Sequence, residues 1–145
     1  MLKAVLELFR KSAASATPGT SVELATAVLL SEIIRADHHA DERELETYRT
    51  MLTSHFDLSD EALCALMDDG LQSSDEAVDL VQFTKVINAQ CDSGEKQKIL
   101  KSLWQIAFAD STIAPIEEHV IRRISELLYL PHSQFIKAKL EVTGE

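Results

Sequence analysis

The spacing of apolar residues restricts this chain to a helical fold. Apolar side chains recur every three or four positions almost throughout, and no segment of useful length alternates with a period of two. Spacings of three and four place side chains on one face of a helix, whereas a half-buried strand requires alternation. The pattern predicts an all-α fold, a compact bundle of about eight helices. Their predicted ranges are 2–14, 21–36, 42–55, 60–70, 74–90, 93–109, 115–129 and 132–142.

Several predicted helix starts carry a short polar residue followed three positions later by Glu. In such a capping box the first side chain accepts from a first-turn amide, and the Glu accepts from the amide of the cap residue. Pro115 suits a first helical position, where its missing N–H is not needed. The four candidate boxes are Thr20 with Glu23, Asp41 with Glu44, Ser73 with Glu76, and Asp92 with Glu95.

Two of the predicted helices, 21–36 and 93–109, are apolar around much of their circumference. A helix of this kind is buried on most sides, so these two are expected to form the central pair of the bundle. Trp104 lies in the second of them and is expected to anchor the core, because its ring carries a large apolar area.

The chain is expected to divide into an N-terminal amphipathic helix and linker, residues 1–19, and a helical domain, residues 20–145. Pro18 and Gly19 separate the two. The N-terminal helix carries an apolar face and a few cations, so two roles are open: lying on a membrane interface, or packing across the body or against another copy as a homodimer. Its shortness favours packing.

The acidic residues are concentrated in one segment. The net charge is −10, and residues 57–95 hold ten acidic residues against a single Lys85. Nucleic-acid affinity comes largely from Lys and Arg meeting phosphate, so this balance argues against a nucleic-acid partner. The segment is either a solvated face or a surface that steers a basic protein partner.

Other features limit where the protein acts. Charges interrupt the apolar stretch at the N-terminus and every longer apolar run, which argues against a secretory signal or a membrane-spanning helix and favours the cytoplasm. Cys64 and Cys91 lie in different predicted helices without metal-binding spacing, so both are expected to be buried and reduced.

The chain also repeats itself at an offset of 73 residues. Each copy is an apolar helix that ends in Ala-Asp, followed seven positions after the Asp by Glu. A repeat of this length predicts two helical modules packed about a pseudo-twofold axis, since neither could bury its apolar face alone. The matching pairs are Leu30 and Leu103, Ile33 and Ile106, Ala36 and Ala109, Asp37 and Asp110, Glu44 and Glu117.

At these residues the sequence resembles the TerB-like (tellurite-resistance TerB) family, whose hallmark is a duplicated Ala-Asp, usually Gly, a variable residue, Ile, then Glu. The resemblance covers about residues 22–140. Where the family usually has Gly, this chain has His38 and Ser111, and Ala40 replaces the bulkier apolar residue in the first copy. The resemblance implies a tellurite-resistance or stress-response module, associated with membrane-linked protein complexes, and carboxylates suggested to bind a divalent cation.

The repeated carboxylates have two competing interpretations. As a cation site, Asp37, Glu44, Asp110 and Glu117 would supply the oxygen ligands that suit Ca²⁺, Mg²⁺ or Mn²⁺. As a structural lock, the same side chains would accept from amides at helix ends, where the helix dipole also favours anions. Simple capping does not explain both copies, because the second copy keeps Glu117 although Ala114 stands where the first has Asp41. An Asp and a Glu that bind loop amides and lock the helix corner are favoured over a cation site.

No pattern in the sequence indicates an enzyme of a known type. There is no nucleophile elbow and no Gly-rich phosphate loop, and the His residues lack zinc-ligand spacing. We therefore expect a non-catalytic interaction or sensor module. The alternative is a metal-dependent, hydrolase-like enzyme that uses the repeated carboxylates.

Overall fold

The computed structural model describes residues 20–36 and 41–144, and within these ranges it is all-helical, with no strand. The predicted N-terminal helix and residues 37–40 lie outside the described residues. The prediction of an all-α bundle is confirmed. The helices are α1 (Val22–Arg35), α2 (Glu42–His55), α3 (Asp60–Glu76), α4 (Val81–Gln90), α5 (Ser93–Ala107), α6 (Pro115–Leu127) and α7 (His132–Thr143).

Helices α1 and α5 form the centre of the bundle, as their apolar circumference predicts. Helix α1 packs against α2, α3, α4, α5 and α6, and α5 packs against α1, α2, α6 and α7. Nine of the fourteen residues of α1 are buried. Trp104 of α5 is fully buried, and the centroid of its ring lies 5.0 Å from the ring centroid of Phe135 in α7. The core is therefore built around these two helices, and the others cover them.

Helix α3 is longer than the spacing predicts. The sequence suggests a break between 70 and 74 with a new capping box at Ser73 and Glu76, but α3 continues through both residues to Glu76. The predicted helix ends at residue 70, whereas Gly70 is buried inside α3 and in close contact with its neighbours. A Cβ atom there would lie 2.5 Å from the Tyr48 hydroxyl and 2.7 Å from Cβ of Ala27. Glycine lets α3 approach α1 and α2.

The helix starts follow the predictions in part. Helix α5 begins with the predicted capping box: Asp92 accepts from the Glu95 amide at 2.8 Å, and Glu95 accepts from the Asp92 amide at 3.1 Å. Helix α1 is capped one residue later than predicted, by Ser21 and not by Thr20. Ser21 accepts from the Leu24 amide, and its short hydroxyl side chain serves equally well.

The burial prediction for the cysteines is wrong for Cys64. This side chain lies exposed on α3, while Cys91 is partly buried at the end of α4, and both are free thiols. Among the residues that the structure describes, no helix is long and apolar enough to cross a membrane. The pseudo-twofold relation between the two halves and the domain boundary at residues 19 and 20 stay predictions.

Candidate functional site

The three described residues of the predicted site, Glu44, Asp110 and Glu117, lie at or beside two helix corners. The first corner joins α1 to α2, and the second joins α5 to α6. Asp41 caps α2, and Glu44 follows in its first turn. Asp110 lies in the second corner, and Glu117 follows in the first turn of α6. Asp37, the fourth predicted residue, lies outside the described residues.

Glu117 binds the backbone of its own corner. Its Oε1 atom accepts from the Ala114 amide at 2.8 Å, and the side chain is only 3% exposed. Ala114 has no side-chain acceptor, so Glu117 supplies half of a capping box and satisfies a part-buried amide at the start of α6. This is the contact that the structural-lock interpretation requires.

The backbone of the second corner is tightly turned. Asp110 accepts from the Thr112 amide at 3.1 Å, and the Ser111 amide donates to the Phe108 carbonyl at 2.9 Å. Ser111 has a φ of +67°, in the left-handed region that glycine adopts without a steric penalty. Ser111 stands where the TerB-like pattern usually has Gly, and the corner requires the left-handed conformation at this position. Ser adopts this conformation with some backbone strain.

Glu44 resembles Glu117 in its burial and in its position within its helix. Glu44 is 3% exposed although it is charged, and it occupies the same helical position in α2 as Glu117 does in α6. Asp41 accepts from the Arg43 amide at 2.7 Å. The structure therefore gives the two Glu residues the same burial and the same place in a first helical turn.

Arg43 connects the two corners electrostatically. Its guanidinium donates to both carboxylate oxygens of Asp41, at 3.2 and 3.1 Å. Asp41 is the main cause of the raised pKa of Arg43, and the charges of Asp110 and Glu44 raise this pKa further. An exposed cation from the first corner thus lies within the field of a carboxylate from the second. The sequence repeat did not predict this electrostatic interaction, because only one of its copies has an Arg at this position.

The contacts of the described carboxylates limit how they could bind a divalent cation. Within residues 20–36 and 41–144, no group of three His, Cys, Asp or Glu side chains is placed to hold a metal ion. One oxygen of Glu117 and one of Asp110 already accept from backbone amides. The described carboxylates do not by themselves make up a cation cage of the six to eight oxygens typical of Ca²⁺.

A second polar site was not predicted from the sequence. The Nε2 atom of His55, at the end of α2, lies 2.7 Å from Oγ of Ser102 in α5. A cavity of about 130 Å³ adjoins His55, and its walls include Thr26, Cys91 and Lys98. No local sequence pattern predicts this pair, because the two residues are 47 positions apart and come together only when α2 packs against α5.

The ten acidic residues of the acidic segment, residues 57–95, are all exposed. Two of them meet a cation from another part of the described chain: Asp75 pairs with Arg35 at 2.9 Å, and Asp60 with Arg49 at 4.0 Å. Val78, in the connection between α3 and α4, is 99% exposed. The segment therefore presents a fully exposed apolar side chain among carboxylates.

These features define the class: within the described residues, an all-helical domain in which each copy of the repeated motif places a buried Glu in a first helical turn. A family model described as "Tellurite resistance protein TerB" matches residues 23–140, which is most of the chain. The chain belongs to the TerB family, and the resemblance drawn from the repeated motif is confirmed. Comparison with curated proteins and with solved structures gives no match.

Proposed function

We propose that this protein is a non-catalytic interaction module of the tellurite-resistance TerB class, which binds a basic protein partner through the acidic segment. Family membership supports the tellurite-resistance relation. The observation that carries the binding role is the exposure of all ten acidic residues of residues 57–95, with Val78 fully exposed among them. Charge gives orientation and association rate, and an apolar side chain gives contact area.

The acidic residues at the corners differ from those of the acidic segment in their burial, and this difference supports a binding role for the segment alone. Glu44 and Glu117 are buried, and Glu117 accepts from an amide, so their role is to hold helices in place. Asp68, Asp69 and Glu61 instead lie on the surface of α3. Exposed carboxylates cost little to leave in water and interact over about 8 Å at physiological salt, which suits encounter with a cationic surface.

The test is capture of partners from a native lysate by the full chain. We expect Asp68→Lys with Asp69→Lys to lose the partners that wild type retains, and high salt to release them, because screening weakens the encounter. The control variant is Glu46→Lys with Glu126→Lys, which changes two exposed acidic residues outside the segment. It has the same net charge as the variant with Asp68→Lys and Asp69→Lys. Equal capture by all three proteins would rule out a role for the segment.

Divalent-cation binding by Asp37, Glu44, Asp110 and Glu117 is a competing use of the corners. It is tested by thermal unfolding with Ca²⁺, Mg²⁺, Mn²⁺ or a chelator. A bound ion stabilises the folded state by linkage, about 2.7 kcal/mol at a hundredfold excess over the dissociation constant. We expect no such shift, and a stabilisation of wild type that Glu117→Gln abolishes would assign a cation site instead.

The enzymatic alternative, a metal-dependent hydrolase, requires carboxylates that reach a substrate and a water molecule. Glu44 and Glu117 are each 3% exposed, and this burial favours the structural role. The cation titration described above also distinguishes the hydrolase from the structural role, because hydrolysis through these carboxylates would require a bound ion.

A further inference from the structure

Helix α7 has an apolar surface on two sides. Its inner side buries Phe135 and Ala138 against the bundle. Its outer side carries Ile136 and Leu140, which are 37% and 44% exposed. The two outer residues are four positions apart and share one shallow hollow, which is lined by Ser133, Ile136, Lys137, Leu140 and Glu141. One helix face is therefore packed, and the described residues leave the other open.

A row of two opposite charges runs along one side of the open face. Lys137 and Glu141 are also four positions apart, and they follow Ile136 and Leu140 directly in sequence. Residues at this spacing lie one helical turn apart in a parallel row. If a second α7 lies antiparallel across the first, a twofold axis places Lys137 beside Glu141 of the partner subunit, and Glu141 beside Lys137 of the partner subunit. The apolar rows then meet alongside these charge pairs.

We propose that this face is an interface between two copies of the chain, with α7 packed antiparallel against α7. An isologous contact needs a surface that complements itself, and an apolar pair beside one cation and one anion meets that condition. A partner of a single charge sign would leave either Lys137 or Glu141 next to a like charge. An anionic membrane would meet Glu141 and a chain whose net charge is −10.

The surroundings of α7 leave room for such a neighbour. A cavity of about 310 Å³ lies between α5 and α7, and it shares Lys137 and Glu141 with the open face. Lys101 of α5 lies 3.5 Å from Glu141, and both side chains are more than 40% exposed. Side chains of the partner subunit would therefore meet a solvent-accessible rim of charged groups.

The expected dimer is weak. Helix α7 has 12 residues and is about 18 Å long, so its face is smaller than the roughly 800 Å² per partner of a standard interface. We expect a dissociation constant of roughly 10–100 µM, measured by sedimentation equilibrium of the full chain over a range of concentrations. The control variant is Lys85→Glu, an exposed change on α4 that makes the same change in net charge as Lys137→Glu.

The test rests on charge reversal within one chain. Lys137→Glu and Glu141→Lys should each raise the dissociation constant at least about tenfold, because like charges then face each other across the twofold axis. The double variant should return to within about threefold of wild type. Its recovery cannot come from Lys101, because the double variant still carries Lys at 141 beside it.

Leu140→Glu provides a second variant, which should abolish dimerisation while the thermal unfolding transition stays cooperative. A double charge reversal that fails to recover association would overturn the antiparallel pairing. A wild type that stays monomeric up to about 1 mM would overturn the proposal as a whole, and would leave a different protein or this chain's residues 1–19 to cover the face.

Discussion

His55 at the end of α2 and Ser102 in the middle of α5 are joined side chain to side chain, with 2.7 Å between Nε2 and Oγ. Ser102 is only 3% exposed. Burial lowers the pKa of His55 below its ordinary value of 6.5, and the nearby charge of Lys98 lowers this pKa further. The folded protein therefore favours the neutral imidazole at a point where two helices meet.

The first prediction is a loss of stability in mild acid. Because the pKa of His55 is lower in the folded than in the unfolded state, its stabilising contribution is complete above the unfolded pKa of about 6.5 and is lost as the pH falls through the folded pKa. Urea unfolding of wild type should show a falling free energy of unfolding between about pH 7 and pH 5, and His55→Gln should lack this part of the slope. His119→Gln, a change at an exposed imidazole, is the control. Parallel slopes for wild type and His55→Gln would contradict the prediction.

The second prediction concerns alkaline unfolding. The hydroxyl of Tyr48 lies 2.9 Å from Oγ of Ser31 and donates to the Met67 carbonyl at 3.1 Å, and burial raises its pKa to about 12. Protonated Tyr48 thus stabilises the fold fully below the unfolded pKa of about 10, and this contribution is lost as the pH rises through the folded pKa.

The measurement for Tyr48 is the free energy of unfolding between about pH 9 and pH 12. We expect Tyr48→Phe to be less stable than wild type near neutrality by about 1–3 kcal/mol, because the Met67 carbonyl loses its donor. Its stability should then fall less steeply with alkali. Tyr129→Phe, at a side chain that is 80% exposed, should follow wild type. A wild-type slope in Tyr48→Phe would show that another group dominates alkaline unfolding.

The third prediction is that Gly70→Ala destabilises the protein although alanine is the better helix former. The added Cβ would lie 2.5 Å from the Tyr48 hydroxyl and 2.7 Å from Cβ of Ala27, so α3 would have to move away from α1. Overpacking of this kind costs about 1–3 kcal/mol, more than the roughly 1 kcal/mol that helix propensity returns. Gly94→Ala is the matched control, because its nearest neighbour is Oδ1 of Asp92 at 3.4 Å. We expect the control to be neutral or slightly stabilising, and equal effects at both positions would contradict the packing argument.

The fourth prediction tests Glu117 as a lock. Glu117→Ala should lower the free energy of unfolding by about 0.5–2 kcal/mol, as the loss of a helix cap does. Glu117→Gln should lose less, because its amide oxygen can still accept from Ala114. The control is Glu126→Ala, which removes an exposed carboxylate from the same helix. Chemical denaturation in the presence of a chelator gives the comparison, and a wild-type stability for Glu117→Ala would remove the structural role.

The fifth prediction uses the backbone at Ser111. An L-residue in the left-handed region is strained by about 1–2 kcal/mol, whereas glycine is not. Ser111→Gly should therefore stabilise the protein by about 0.5–1 kcal/mol after the greater chain entropy of unfolded glycine is subtracted. Ser111→Ala keeps the Cβ atom and should bring no gain. Equal melting temperatures for the two variants would mean that Ser111 carries no strain.

The sequence indicates the local surroundings of Glu117. The place of Glu117 in a first helical turn follows from Pro115 and the spacing of the motif, and its amide partner is only three residues away. The contact between His55 and Ser102 could not be predicted, because neither residue carries a local signal and the distance between them depends on how α2 crosses α5. The effect of the Asp110 charge on the pKa of Arg43 could not be predicted either, because it depends on the distance between two corners that are far apart in sequence.

Side-chain spacing and contacts within one helical turn are enough to show that the chain is helical, where most helices begin, and to which family it belongs. The other properties depend on how the helices pack against one another. The predicted helix 60–70 ends at Gly70, but α3 continues to Glu76, and Gly70 lies buried against Tyr48 and Ala27. Burial decided that Glu44 and Glu117 are withdrawn from solvent while Asp68 and Asp69 face it, because the same carboxylate can serve either role until neighbouring helices cover it.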